Sequence, residues 1–385
     1  MKLTALQLNR ATLDRQMLLR RRKVSVVEAV NAVGALQAQS PASPYIALWN
    51  RISGFDPEEL DRAFAAQKLV KATLMRLTKH AVTADDYPAT FAALIPDLRG
   101  ARLYDERFTK AGLSIEATDA LVPGLQGWAT QGRPSAEFEA WIAKRAKVAG
   151  RPVWWALRHI GPFIYAPTGG PWSFEDRSHF MAPRATAFRG DRAEAMAHLL
   201  RRYLQAFGPA SPADMNQFTM MPMKAIRPGL DVLADELETH QGPDGKPLLD
   251  LRGASLPAED ATAPPRLLAM WEEILLAYRD RSRVTPPEYR THVSRINGDT
   301  LPAVLVNGYV AGVWRPAPAG AGIEVTAFRT LDTATWDGLE QEARGLVRLL
   351  ADRQPDVYAR YAHWWAKLPS SATARVLAAA TAAWG

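Results

Sequence analysis

Gln37 and Gln39, separated by Ala38, are the side chains in this sequence whose type and spacing best suit chemistry. A helix starting at Ser25 is predicted to end near Gln37-Ala38-Gln39, because Ser40-Pro41 and Ser43-Pro44 disfavour helix in the residue before each proline. Past a helix exit the chain is extended, and residues i and i+2 then project to one side. Two carboxamides so placed offer carbonyl acceptors and amide donors to a single water molecule. The plainer reading is that both glutamines cap a helix end in solvent. Spacing alone leaves the two readings open.

Other chemistries find less support. The chain has no cysteine, which removes disulfides, thiolate zinc sites, iron–sulfur clusters and cysteine nucleophiles. Its histidines (His80, His159, His179, His198, His240, His292 and His363) never fall three or four apart, so no helical metal pair exists, and neither a metal nor a cofactor is expected. The acidic pairs Glu58-Glu59, Asp85-Asp86 and Glu272-Glu273 read as solvated charges, since neighbours on a helix point about 100° apart. No Gly-x-Ser-x-Gly, P-loop or Gly-x-Gly-x-x-Gly pattern with the right flanks occurs, so hydrolase, kinase and dehydrogenase readings built on those motifs have no foothold.

The elements that must position the glutamines follow from periodicity. Leu13, Met17 and Leu18, then Val26, Val27 and Val30, keep helical spacing, and Ser25 with Glu28 is a capping box. A helix over Pro57 to Gln67 follows the Asp56 cap, and Val70 to Leu77 with His80 to Thr83 predicts two strands around a tight turn. Helices followed by a β-hairpin form the layout of a winged helix-turn-helix. The layout recurs from Ile115, with helices around Gly132-Arg133-Pro134-Ser135 (the second from Ala136 to Val148) and a run from Val153 to Tyr165. It recurs again with a helix over Ala195 to Phe207, Ser211 capping Pro212 to Phe218, a third helical run over Leu230 to His240, and the hairpin-like Gly242-Pro243-Asp244-Gly245. After about Asp260, Leu301 to Trp314 and Ile323 to Phe328 are strand-like, with turns at Asn307-Gly308 and Gly320-Ala321-Gly322. Helices are predicted over Trp336 to Leu350 and Ala372 to Ala383.

Length and charge set the outer bounds. At 385 residues and 48% hydrophobic content the chain can fill several domain-sized cores. No run approaches the roughly 18–20 apolar residues of a membrane span, and the stretch from Met1 to Lys23 carries charges where a signal peptide is apolar. A cytoplasmic protein without a membrane partner is therefore expected. The formal net charge of +7 suggests a polyanion partner. Arginine far outnumbers lysine, which suits phosphate forks and minor-groove insertion, although a high-GC coding bias enriches arginine as well.

Several segments, in order, resemble one family. They are Val33-Gly34-Ala35-Leu36-Gln37-Ala38-Gln39-Ser40-Pro41 with Ala47-Leu48-Trp49-Asn50-Arg51, Thr73 to Leu77 with Asp86-Tyr87, Arg202 to Asp214, Tyr278 to Arg283, and Asn307-Gly308 with Val313-Trp314-Arg315. Together they resemble the winged-helix DNA glycosylases of the AlkZ/YcaQ type over nearly the whole chain. The family motif is Gln–apolar–Gln in one branch and Gln–apolar–Asp in the other; Gln39 places this chain with the AlkZ-like branch. Where relatives often carry Thr-Leu-His in the first wing, this chain has Thr73-Leu74-Met75-Arg76.

The resemblance implies an α+β, mostly α fold: three tandem winged helix-turn-helix domains (1–110, 111–185 and 186–258) and a C-terminal domain (259–385) with a small β-barrel and flanking helices. A basic concave face would take double-stranded DNA. The implied activity is that of a monofunctional, monomeric DNA glycosylase acting on cationic N7-alkylated purines, including bulky adducts and interstrand crosslinks, in self-resistance to an alkylating natural product. Gln37 and Gln39 are the implied catalytic residues. Arg76, His80, Arg279 and Arg281 are the candidate DNA contacts, and Tyr278-Arg279-Asp280-Arg281 is equally readable as a structural salt-bridge cluster. A purine alkylated at N7 is already cationic and leaves as a neutral base, so the general acid of most glycosidic cleavages is unnecessary. A carboxamide can then orient water and place a partial negative charge beside the sugar cation. A winged-helix transcriptional regulator and a non-catalytic DNA scaffold are the alternatives.

Overall fold

The computed structural model describes residues 1–175, 177–184, 187–318 and 321–378. Ser25 opens its helix with the expected capping box: the Glu28 amide donates to Ser25 Oγ, and the Ser25 amide donates to the Glu28 carboxylate at 2.8 Å. This helix, Val26–Val33, stops well short of the glutamines because Gly34 takes φ +80°, a left-handed conformation suited to glycine. The chain turns there into β1 (Leu36–Gln37), so Gln37 lies in a strand and not at a helix exit.

β2 (Leu69–Thr73) and β3 (Lys79–Thr83) form the expected first hairpin, joined by a 3-10 turn at Met75–Leu77. β4 (Arg133–Pro134), β5 (Ile164–Ala166) and β6 (His179–Met181) come from the next stretch of chain, after helices Ile115–Trp128, Ser135–Ala146 and Gly150–Ile160. All six strands join one antiparallel sheet in the order β1-β3-β2-β5-β6-β4. The register puts Gln37 opposite His80, and Lys71 opposite both Ala81 and Tyr165. The Lys71–Tyr165 pairing fuses the first two helix–hairpin units into a single surface.

Helix Arg192–Phe207 begins with a capping box of Asp191 and Glu194, and Ser211 with Asp214 caps Pro212–Thr219 in the same way. The helix expected over Leu230 to His240 is instead the end of Met223–Val232, a short turn, and β7 (Leu237–Gln241). β7 pairs along its length with β8 (Pro247–Leu251) across the Gly242 to Lys246 turn, and that ladder overrides local helix propensity.

The C-terminal strands are β9 (Arg266–Leu267), β10 (Ala303–Val306), β11 (Tyr309–Pro316), β12 (Ile323–Ala327) and β13 (Thr373–Leu377). Asn307 and Gly308, both at positive φ (50° and 81°), make the predicted turn between β10 and β11. The strand order is linear, β13-β12-β11-β10-β9. Among the described residues no pairing closes β9 onto β13, so the expected barrel is an open sheet. Residues 373–377, expected as helix, pair with β12 over their whole length. Gly320 and residues 379–383, parts of the predicted turn and last helix, lie outside the described residues.

Helix Thr333–Ala351 packs near β9 and carries Glu342, which accepts from both Arg21 and Arg266. The Asn50-Arg51 pair clamps the first and last regions together. Asn50 Nδ2 donates to the Leu267 carbonyl at 2.8 Å, and the fully buried Arg51 donates to the Glu272 carboxylate at 2.7 Å and to Gln16 Oε1 at 3.0 Å. One apolar core runs continuously from Leu13 to Leu377. No helix among the described residues is long and apolar enough to cross a membrane.

Candidate active site

Gln37 is only 6% exposed, and its surroundings fix its orientation. Arg76 Nη2 donates to Gln37 Oε1 at 3.0 Å. A guanidinium has donors and no acceptor, so the oxygen of this carboxamide must be the atom that faces it, leaving Nε2 for other partners. Arg76 reaches this position from a strained turn, where Arg76 and Leu77 both sit at positive φ (56° and 54°). It is held there by the Phe218 carbonyl at 2.9 Å and the Glu273 carboxylate at 3.0 Å.

His80 completes the cluster. Its Nε2 lies 2.9 Å from Glu273 Oε1, and its Nδ1 lies 3.0 Å from the Thr78 carbonyl oxygen. Burial alone would raise the Glu273 carboxyl; Arg76 and His80 together more than offset that and hold it below the ordinary glutamate value. Glu273 and its neighbour Glu272 are therefore buried ion-pair partners, contrary to the expectation of solvated charges. The same correction applies to Asp86, which is buried against His198 Nε2 at 2.7 Å and Arg202 at 3.2 Å. Arg76 and His80, taken from the sequence as candidate DNA contacts, lie inside this network and face Gln37.

Gln39 has a different environment. β1 has ended by this residue, which is half-buried in the wall of a cavity of about 840 Å³. Among the described residues its carboxamide has no hydrogen-bond partner, so both its donor and its acceptor are available. Lys71, Lys79, Tyr165, Phe174 and Arg360 share the cavity wall, and Gln37 does not. The extended-chain expectation of one shared face is thus not what the backbone delivers: the strand carries Gln37 into the Arg76 network, and the chain beyond it turns Gln39 toward the cavity.

The lysines on this wall were not visible as site residues in the sequence. Lys71 Nζ lies 4.3 Å from the centre of the Phe174 ring, and Lys79 Nζ lies 5.2 Å from that of Tyr165. Burial and the neighbouring Lys79 hold Lys71 well below the ordinary lysine value. The available signal was their shared spacing on a hairpin, Lys71 on one strand and Lys79 on the next. For Glu273 the signal was a charged pair set between the apolar runs Leu267 to Trp271 and Ile274 to Leu276.

Arg279 is exposed, with its backbone amide donating to Asp214 Oδ1 at 2.9 Å. Arg281 is half-buried and donates to Ser294 Oγ at 3.1 Å. Burial, then the charges of Arg290 and Arg76, lower its pKa, so Arg281 feels the same field as the Gln37 network. Ser294 opens a tight turn bridged to Thr300, at whose tip Ile296 is fully exposed. Trp271 Nε1 donates to the Gly298 carbonyl and Trp364 Nε1 to Asp299 Oδ2, bracing that turn from below. Trp271 in turn packs edge-on against Tyr361 of the cavity wall at 5.3 Å. Through Trp271 and Tyr361 the turn is thus connected to the wall of the Gln39 cavity.

A family model described as DNA glycosylase AlkZ-like matches residues 30–349, a span that holds both glutamines, Arg76, Glu273 and the arginine segment. The chain belongs to this family. It is accordingly an AlkZ-like DNA glycosylase, a hydrolase of N-glycosyl bonds acting on DNA. Among solved structures, the Streptomyces sahachiroi DNA glycosylase AlkZ superposes with a TM-score of 0.77 at 20% identity, over 92% of this chain and 98% of that one. The AlkZ-like fold, mixed α+β and mostly helical, thus extends over almost the whole molecule. Comparison with curated protein sequences yields no match.

Proposed function

We propose that this AlkZ-like glycosylase is monofunctional and releases cationic N7-alkylated purines from duplex DNA, bulky adducts and interstrand crosslinks included, as self-protection against a DNA-alkylating natural product. The observation that carries the reading is the Gln39 carboxamide, without a hydrogen-bond partner among the described residues, on the wall of a cavity whose volume, about 840 Å³, falls in the range of ligand pockets (roughly 300–1,000 Å³). In this reading Gln39 Oε1 orients the attacking water and lies beside the developing sugar cation. Gln37, whose oxygen accepts from Arg76, contributes its Nε2 donor. The alkylated base departs as a neutral molecule, so no side chain need protonate it. The water attacks the anomeric carbon and its proton passes to solvent, since an amide is too weak a base to keep it.

The helix–hairpin units at 1–110, 111–185 and 186–258, closed by 259–385, act on this view as winged helices that present a basic concave face. Arg279, Arg281, Arg290 and Arg295 contact phosphates, and the exposed Ile296 approaches the bases beside the lesion. The protein works as a monomer on nucleoid DNA in the cytoplasm and needs no cofactor. The test is incubation of purified protein with a duplex holding N7-methylguanine, beside one holding neutral hypoxanthine, each scored for free base and abasic sites. Release of N7-methylguanine without hypoxanthine is expected. Release of hypoxanthine would require a general acid and end the two-glutamine mechanism, and a sequence-specific footprint without base release would favour a regulator.

A further inference from the structure

Excision as derived above leaves one chemically distinctive group unused. Lys71 is 3% exposed, lies within β2 opposite Ala81 and Tyr165, and lines the cavity that holds Gln39. The Phe174 ring at 4.3 Å and the Tyr165 ring at 5.6 Å flank its Nζ. Among the described residues no carboxylate comes within ion-pair distance of it, and the charged group acting on it is another cation, Lys79. A lysine buried against aromatic walls beside a second cation is the setting in which an ε-amine is held partly unprotonated and nucleophilic.

We propose that Lys71 captures the abasic sugar left by base release as a reversible imine, inside the cavity it shares with Gln39. The proposal rests on the glycosylase reading, because the sugar reaches the cavity as the product of excision. Once the base has gone, the abasic hemiacetal opens to an aldehyde at C1′. The Lys71 Nζ lone pair adds to that carbon, forming a C–N bond while the carbonyl π pair moves to oxygen, and proton transfer from nitrogen to oxygen gives a carbinolamine. Loss of the hydroxyl as water leaves the carbon–nitrogen double bond. Addition of water reverses each step and returns free amine and aldehyde. No strand bond breaks and no oxidant or reductant takes part, so the chemistry is compatible with a monofunctional enzyme that retains its product.

The full-length protein is incubated with a duplex bearing a preformed abasic site and treated with sodium borohydride, which delivers hydride to the iminium carbon and makes the link permanent. A borohydride-dependent protein–DNA adduct is expected with wild type, and peptide mass analysis should place the deoxyribose on Lys71. Lys71→Arg lacks the nucleophilic amine and should lose the adduct, whereas Lys79→Met removes only the neighbouring charge and should weaken trapping without abolishing it. The wild-type peptide map keeps the test decisive even where a variant folds poorly. No adduct with wild type, or an adduct on another residue, overturns the proposal. Because the abasic site is made beforehand, absent trapping alongside normal N7-methylguanine release would sink this inference alone, and trapping without base release would sink the excision reading instead.

Discussion

Gln37 and Gln39 are the same residue two positions apart, yet they occupy opposite kinds of environment. Gln37 is buried in a strand, its oxygen taken by Arg76, and Arg76 in turn is locked by Glu273 and a strained backbone. Gln39 is half-buried, has no hydrogen-bond partner among the described residues, and looks into an aromatic and cationic cavity. On the proposed reading this contrast divides the motif's labour between a donor whose orientation is fixed by a buried ion pair and an acceptor that would meet water and sugar. The backbone makes this division possible by ending β1 between them.

Breaking the fixed side should have the largest effect. Arg76→Met leaves Glu273 with His80 alone and frees the Gln37 amide to rotate, so it should cost about 3 kcal/mol of stability, read by denaturant unfolding, and slow excision sharply in single-turnover assays. Gln37→Ala removes the donor while leaving the Arg76–Glu273 pair intact. It should reduce the single-turnover rate on the order of 100-fold with little change in melting temperature. A melting temperature that drops as far as in Arg76→Met would mean that Gln37 is structural.

Smaller changes sharpen the comparison. Glu273 titrates below its ordinary value of 4.5, so its pairing stabilises the fold above that pH, and the contribution is lost as pH falls through the depressed value. Thermal melts should therefore lose stability on acidification below about 4.5, and Glu273→Gln should flatten that dependence while lowering stability at neutral pH. Arg279→Ala and Arg281→Ala should each weaken duplex binding and reduce the slope of log affinity against log salt by about 1. Unchanged salt slopes would remove this segment from the DNA face. Gln39→Asp should produce the smallest change, a modest gain or moderate loss in N7-methylguanine release, since a carboxylate still presents an oxygen to the water.

Much of this architecture was legible where local chemistry decides it. The capping boxes at Ser25 and Ser211, the Asp56 cap and the Asn307-Gly308 turn each depend on residues adjacent in sequence, and all appear where their residue types put them. What depends on distant partners was not legible. Leu36–Gln37 and Thr373–Leu377 become strands because β3 and β12 offer them ladders, against helical expectations for both. Glu273 looks like a surface charge until Arg76, far away in sequence, arrives beside it. The motif glutamines were found from their neighbours in sequence, but their unequal environments follow from contacts that no spacing rule contains.

The central claim is that excision takes place at Gln39, in the cavity, with Gln37 as its fixed companion. The most direct measurement is single-turnover release of N7-methylguanine by Gln39→Ala, with duplex affinity and melting temperature recorded on the same preparation. The expected rate is lower on the order of 100-fold or more at nearly unchanged affinity and stability, because Gln39 has no hydrogen-bond partner among the described residues to lose. A near-wild-type rate in that variant would contradict it.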